Sequence, residues 1–176
     1  MLVGLPIEIL SAEEANVTGE AAEDGATFAE NAIKKARYVV EQTGKWAMAD
    51  DSGLCTDALN GAPGVLTARW AGGRDLIEYT LDKMGGIPES RRQAHFESAV
   101  ALVAPDGTES IFSGRVSGSL ALTPRGVPRL KLPYDVLFIP DGYNQTFAEM
   151  SSEQKNAISH RGLAFQKLKK FLEEIK

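Results

Sequence analysis

The chain has 176 residues, 43% hydrophobic and 24% charged, with a formal net charge of −5 at pH 7. That length suffices for one domain, 1–176, with a sizeable core, and the charge excludes a large non-specific nucleic-acid surface. A single cysteine, Cys55, excludes an internal disulfide and fits a reducing cytoplasm, and no apolar run approaches the roughly 20 residues of a membrane span.

In chain order, Val3 to Leu10 reads as a short strand, with Pro6 tolerated near its start or on an edge. Residues 11–26 are acidic and loop-like. Thr27 to Thr43 is the clearest helix: Phe28, Ala32, Ala36, Val39 and Val40 recur at helical spacing, and Gly44 supplies a stop. Trp46 to Ala49 and Leu54 to Leu59 read as two short strands, followed by the turn Asn60-Gly61-Ala62-Pro63-Gly64. A short helix spans Asp75 to Met84. Strands at His95 to Val103 and Glu109 to Val116 flank the hairpin turn Pro105-Asp106-Gly107. Further strands are expected at Ser119 to Leu122 and Tyr134 to Ile139. A terminal helix at Arg161 to Glu174 turns Leu163, Leu168, Phe171 and Leu172 inward. Helices mixed with hairpin strands predict an α/β or α+β fold with a mixed sheet.

Three constellations carry possible chemistry. Where the expected strand Trp46 to Ala49 gives way to Leu54 to Leu59 lies Ala49-Asp50-Asp51-Ser52-Gly53-Leu54. Successive strand residues point to opposite faces, so Asp50 and Asp51 take different jobs. Paired carboxylates suit Mg²⁺, which binds substrates carrying several phosphates; the alternative is an Asp-Ser-Gly turn closing a strand. At the first helix, Thr27 and Glu30 fit a capping box, which alone explains Glu30; the functional alternative has Glu30 sharing a metal with the aspartates. Lys34 is placed to pair with Glu30. Arg69 has two readings, a fork for phosphate or carboxylate, or a partner stacked on Trp70.

The third constellation is Lys155-Asn156-Ala157-Ile158-Ser159-His160-Arg161-Gly162. Basic residues crowd the start of a helix whose dipole favours acids there, which points to an anionic ligand. His95, in an alternating strand, reads as structural. No Cys/His spacing indicates zinc, and no glycine-rich P-loop is present.

The ordered motifs go further together than singly. Thr-Phe-Ala-Glu-Asn-Ala…Lys-Ala (27–36), Ala-Asp-Asp-Ser-Gly-Leu (49–54), Asp-Ala-Leu-Asn-Gly-Ala-Pro-Gly-Val (57–65) and Thr-Ala-Arg-Trp-Ala-Gly (67–72) are followed by Pro-Arg-Gly (124–126), Tyr-Asp (134–135), Phe-Ile-Pro-Asp-Gly-Tyr (138–143), Thr-Phe-Ala-Glu-Met (146–150) and the basic run (155–162). This series resembles the inosine/xanthosine triphosphate pyrophosphatase family. The resemblance implies a two-lobed α/β fold around a long curved mixed sheet, with a nucleotide cleft between the lobes. It implies a cytoplasmic, Mg²⁺-dependent homodimer that hydrolyses ITP, dITP and XTP to the monophosphate and pyrophosphate. By the same resemblance Glu30 and Asp51 hold the metal and Asp51 accepts the proton of the attacking water. Ser52, Tyr134, Asp135, Lys155, His160 and Arg161 contact the nucleotide, the last two at the base.

Two departures from the family pattern bear on activity. The family's opening Thr/Ser-x-Asn-x-x-Lys phosphate loop is not found in these residues. A glycine-rich aromatic segment before Tyr-Asp is replaced by Val127-Pro128-Arg129-Leu130-Lys131-Leu132-Pro133. Both predict impaired triphosphate turnover, or a weak nucleotide- or metal-binding homologue.

Overall fold

Residues 99–104, Ala-Val-Ala-Leu-Val-Ala, are apolar at both parities, the mark of a strand covered on both faces. The computed structural model, which describes residues 2, 4–129 and 133–174, bears this out. Four strands, β1 (Ala47–Thr56), β2 (Gln93–Val103), β3 (Glu109–Leu120) and β4 (Phe138–Pro140), form one sheet in the order β1-β2-β3-β4. Four α-helices accompany it: α1 (Phe28–Thr43), α2 (Leu76–Lys83), α3 (Ser152–Ile158) and α4 (His160–Glu174).

The two faces of β2 go to different helices. Ala99, Ala101 and Val103 pack with Phe28, Ala32 and Ala36 of α1. Val100 and Leu102 pack with Ala164 and Leu168 of α4. Farther along the α4 side, Leu54, Phe96 and Leu120 meet Tyr134, Leu137, Phe138 and Phe147 in the largest core cluster. Burying a Leu or Phe side chain contributes roughly 1.5–3 kcal/mol, so these three clusters are the main source of stability.

The sheet departs from expectation in three ways. Every pairing among the described residues is antiparallel, rather than mixed, because each strand pairs with its neighbour in sequence and every connection reverses direction. The two short strands expected around the aspartates are one ten-residue strand. Asp50 faces Val100, Asp51 faces Ala99 and Ser52 faces Ser98 in unbroken register with β2. The Asp-Ser-Gly string is therefore mid-strand and not a turn. Its glycine answers a close approach: a Cβ on Gly53 would lie 2.4 Å from Thr67 Oγ1 and 2.5 Å from the Gly64 carbonyl oxygen. The Thr67 hydroxyl accepts the Leu54 N–H at 3.0 Å and pins that loop across β1. Third, β3 absorbs Ser119 and Leu120, while Pro133–Val136 is a 3₁₀ turn ahead of the three-residue β4.

Residues 4–10 form turns and irregular chain rather than a strand; Val3 lies outside the described residues, as do 130–132 of the altered segment. Helix α3 was not expected from the sequence; a capping box of Ser151 and Gln154 starts it. Helix α4 lies close on β3. A Cβ on Gly114 would sit 2.1 Å from the His160 carbonyl oxygen, so a glycine there lets the helix start reach the sheet. Among the described residues no helix is long and apolar enough to cross a membrane.

Candidate active site

The alternation of β1 sends its two aspartates to opposite faces of the sheet. Asp51 points toward α1. Its Oδ2 accepts the Asn31 amide at 3.1 Å, and its Oδ1 is 2.9 Å from Lys35 Nζ. Asn31 and Lys35 are four residues apart on one helix face, which is why both reach the same carboxylate. Lys35 Nζ also lies 3.2 Å from Glu23 Oε1, and Arg69 holds the other Glu23 oxygen at 3.3 Å. A second Arg69 nitrogen donates to the Glu23 carbonyl oxygen at 2.5 Å. Two carboxylates thus share one ammonium. Burial opposes the charge on Lys35, but the hydrogen bonds and charges of Asp51 and Glu23 outweigh it and raise its pKa above the ordinary lysine value.

Glu30 is engaged locally. Glu30 Oε2 accepts the Ala26 N–H at 2.7 Å, while the Thr27 hydroxyl accepts the Glu30 N–H at 3.2 Å. The capping role of Glu30 is present, directed at Ala26. The carboxylate gathered with Asp51 around a cation is Glu23. Lys34 pairs with Asp24 at 2.6 Å instead of Glu30, and Trp70 packs edge-on against Tyr79 rather than under Arg69. Sequence reasoning missed Glu23, which sits in the acidic loop with no local pattern. It also missed Lys35 and Asn31, whose four-residue spacing was the available signal.

Asp50 points the other way, into a cavity of about 210 Å³. The cavity is lined by Ser52, Phe96, Tyr134, Asp135, His160 and Arg161, among others. Five expected nucleotide contacts therefore converge: Ser52, Tyr134, Asp135, His160 and Arg161. Lys155 stands behind them, buried, with Nζ 2.5 Å from Asp135 Oδ2. Burial lowers the pKa of Lys155 below the usual lysine value, against the pull of Asp135. Arg129 Nη1 is 3.8 Å from the same Asp135 oxygen, so the altered segment contributes a cation here. The basic run shares its cavity with Asp50; Asp51 lies through the strand on the other face.

His160 is stacked on Phe96 with centroids 4.6 Å apart and planes 10° from parallel. Its Nδ1 is buried without a hydrogen-bond partner among the described residues. Burial, reinforced by the charges of Lys155 and Arg161, pushes its pKa down to about 3. In the unfolded chain a histidine protonates near its ordinary 6.5. Between those values the unfolded state binds the extra proton, so stability rises with pH and is lost as pH falls from about 6.5 toward 3. Urea unfolding across that window should show a slope approaching about 1.4 kcal/mol per pH unit that His160→Gln lacks. Equal slopes in the two proteins would show that His160 protonates freely in the fold.

A larger cavity of about 470 Å³ lies elsewhere, lined by Leu2, Ile9, Trp46, Met48, Leu102 and Leu172 among others. Its lining is mostly apolar, with Glu8, Ser11, Thr43 and Lys45 as polar members, and it includes none of the expected site residues, so the smaller cavity is the better candidate site.

The protein-family model described as the Ham1 family matches residues 1–171. The chain belongs to the Ham1 family. Among its Ham1 relatives, the dITP/XTP pyrophosphatase of Streptomyces coelicolor is 44% identical over 176 residues, 98% of this chain and 87% of that protein. The dITP/XTP pyrophosphatase of Corynebacterium diphtheriae is 46% identical over 171 residues, 92% of this chain and 82% of that protein. The solved structure of a HAM1 protein from Coxiella burnetii superposes with a TM-score of 0.89 at 38% identity, covering 98% of this chain and 89% of that one. The Staphylococcus aureus Ham1 protein gives 0.84 at 37%, covering 94% and 85%. The Ham1 assignment agrees with the resemblance read from the ordered motifs.

Proposed function

We propose that this Ham1 protein hydrolyses non-canonical purine nucleoside triphosphates, with ITP, dITP and XTP as the substrate class, to the monophosphate and pyrophosphate. The observation that carries the reading is the pair Asp50 and Asp51. One strand presents one carboxylate to a cavity lined by Phe96, His160 and Arg161, and the next to a cluster of carboxylate, lysine and amide. The names of the relatives support the same reading.

In this reading the base enters the 210 Å³ cavity, with Phe96 and His160 as aromatic walls and Arg161 as donor. Buried donors discriminate strongly, because a wrong base leaves them unpaired. The phosphates extend around β1 toward Lys35 and Asp51. Asn31 and Lys35 orient the Asp51 carboxylate, and each of its oxygens keeps a second lone pair free to take the proton of an attacking water.

Mg²⁺ belongs to this reading. Among the described residues no group of three His, Cys, Asp or Glu side chains could hold a metal by itself. Mg²⁺ does not need one: it is commonly held by one or two carboxylates plus substrate phosphates and waters. Asp51 and Glu23, already sharing a cation, fit that donor set, with Glu30 the alternative named by the motif. When bound, the ion would neutralise phosphate charge and lower the pKa of the attacking water. A homodimer and a cytoplasmic nucleotide pool complete the reading.

The test is pyrophosphate release from ITP, dITP, XTP, ATP and GTP in excess Mg²⁺. We expect a preference for the first three over ATP and GTP. Equal turnover of ATP and ITP would remove the substrate assignment; selective binding without turnover would make the protein a nucleotide-binding homologue. Glu23→Gln should raise the Mg²⁺ concentration needed for half-maximal rate more than Glu30→Gln does. The reverse order would restore Glu30 as the metal carboxylate.

A further inference from the structure

The Asp50 carboxylate is held at both oxygens. Oδ1 accepts Arg161 Nη2 at 3.0 Å, and Oδ2 accepts the Ser52 hydroxyl at 3.2 Å. Ser52 Oγ lies 3.1 Å from the Ser98 hydroxyl, its register partner on β2. A chain of polar contacts thus runs from the middle of the sheet to the guanidinium on α4. Arg161 uses one donor on Asp50, and its Nε is buried without a hydrogen-bond partner among the described residues. A guanidinium has five N–H donors in a rigid plane, so a grip on one nitrogen restricts where the others point.

Charge decides what such an arginine recognises. A free guanidinium at a nucleotide site binds phosphate strongly through charge-assisted hydrogen bonds. Paired with Asp50, its positive charge is matched locally, and it becomes a directed donor for a neutral acceptor such as a purine oxo group. We propose that Asp50 is a positioning residue that sets base selectivity: it orients Arg161 over the cavity and withholds the guanidinium's charge from phosphate. This rests on the cavity being the base site. It assigns Asp50 a role separate from that of its neighbour Asp51, which acts on the opposite face of β1.

The experiment measures equilibrium binding of IMP and AMP to the full chain, two nucleotides that differ in the 6-oxo and 6-amino groups. Turnover is not needed. Asp50→Asn, close to isosteric, should lower the IMP-to-AMP affinity ratio about tenfold, as expected for losing an oriented hydrogen bond to a charged group. In the double variant Asp50→Asn/Arg161→Ala, the ratio should lie within about twofold of Arg161→Ala alone, because Asp50 acts through Arg161. A general loss of structure would lower both affinities and leave their ratio in place. If Asp50→Asn does not fold by circular dichroism, Asp50→Ser takes its place. A ratio unchanged by the variant, or a double variant whose loss is the product of the single losses, would overturn the inference. A wild-type chain with no IMP preference would remove the base-site reading as well, whereas a selective wild type with a normal Asp50→Asn removes this inference alone.

Discussion

Asp51→Asn should abolish most hydrolysis of ITP while sparing nucleotide binding at the base end. The variant keeps the shape of the side chain but removes its capacity to accept a proton, and positioned general bases contribute typically 10²–10⁴-fold. It also removes one of the two carboxylates around Lys35, which sits 2.9 Å from Asp51 and 3.2 Å from Glu23. We therefore expect kcat to fall by at least about 10²-fold, with IMP affinity changed far less. The contrast with Asp50→Asn makes the expectation sharp. One substitution should act on rate and the other on selectivity, although the two residues are adjacent. Steady-state kinetics and IMP titration of both variants check this. Comparable effects of both substitutions on both quantities would mean that β1 does not divide the site as described.

Lys155→Met should destabilise the protein by about 3–5 kcal/mol, the usual result of removing one partner of a buried ion pair. Lys155 and Asp135 are both nearly inaccessible, and their contact is 2.5 Å. Without the lysine, the Asp135 carboxylate keeps, among the described residues, the more distant Arg129 as its ion-pair partner, 3.8 Å away. For a chain of this size the loss corresponds to a fall in Tm of roughly 6–20 °C. The companion variant Lys155→Met/Asp135→Leu should recover most of it, because the uncompensated charge is gone and apolar replacement of a buried pair is often neutral or better. Urea unfolding of the two variants decides the matter. A single variant within about 1 kcal/mol of wild type would show that water or Arg129 already carries Asp135. The pair also matters for the site, since Asp135 lines the cavity and Lys155 fixes it from behind.

Local pattern was enough for α1, α2 and the β2–β3 hairpin. Their periodicities are strong, and Gly44 and Pro105-Asp106-Gly107 mark their ends with specific backbone chemistry. It failed at β1, where polar residues sit mid-strand. Asp50, Asp51 and Ser52 have low strand propensity, and only pairing with Ser98, Ala99 and Val100 makes a strand of them. It failed also at Val3 to Leu10, where an apolar pattern has no neighbouring strand among the described residues to pair with.

The candidate site divides in the same way. The ordered motifs, taken alone, pointed to Asp51, Ser52, Tyr134, Asp135, His160 and Arg161, because motif residues keep their identity whatever surrounds them. The sequence could also say that Asp50 and Asp51 differ, since strand alternation requires it. It could not say which face each would take, or that Glu23 rather than Glu30 would meet Asp51 around Lys35. Those are decided by contacts 12 to 111 residues apart along the chain, such as Lys35 with Glu23 and Asp51, and Arg161 with Asp50. A cap such as that of Glu30 is local and legible; a carboxylate in an irregular loop gains its partner only when the chain closes around the sheet.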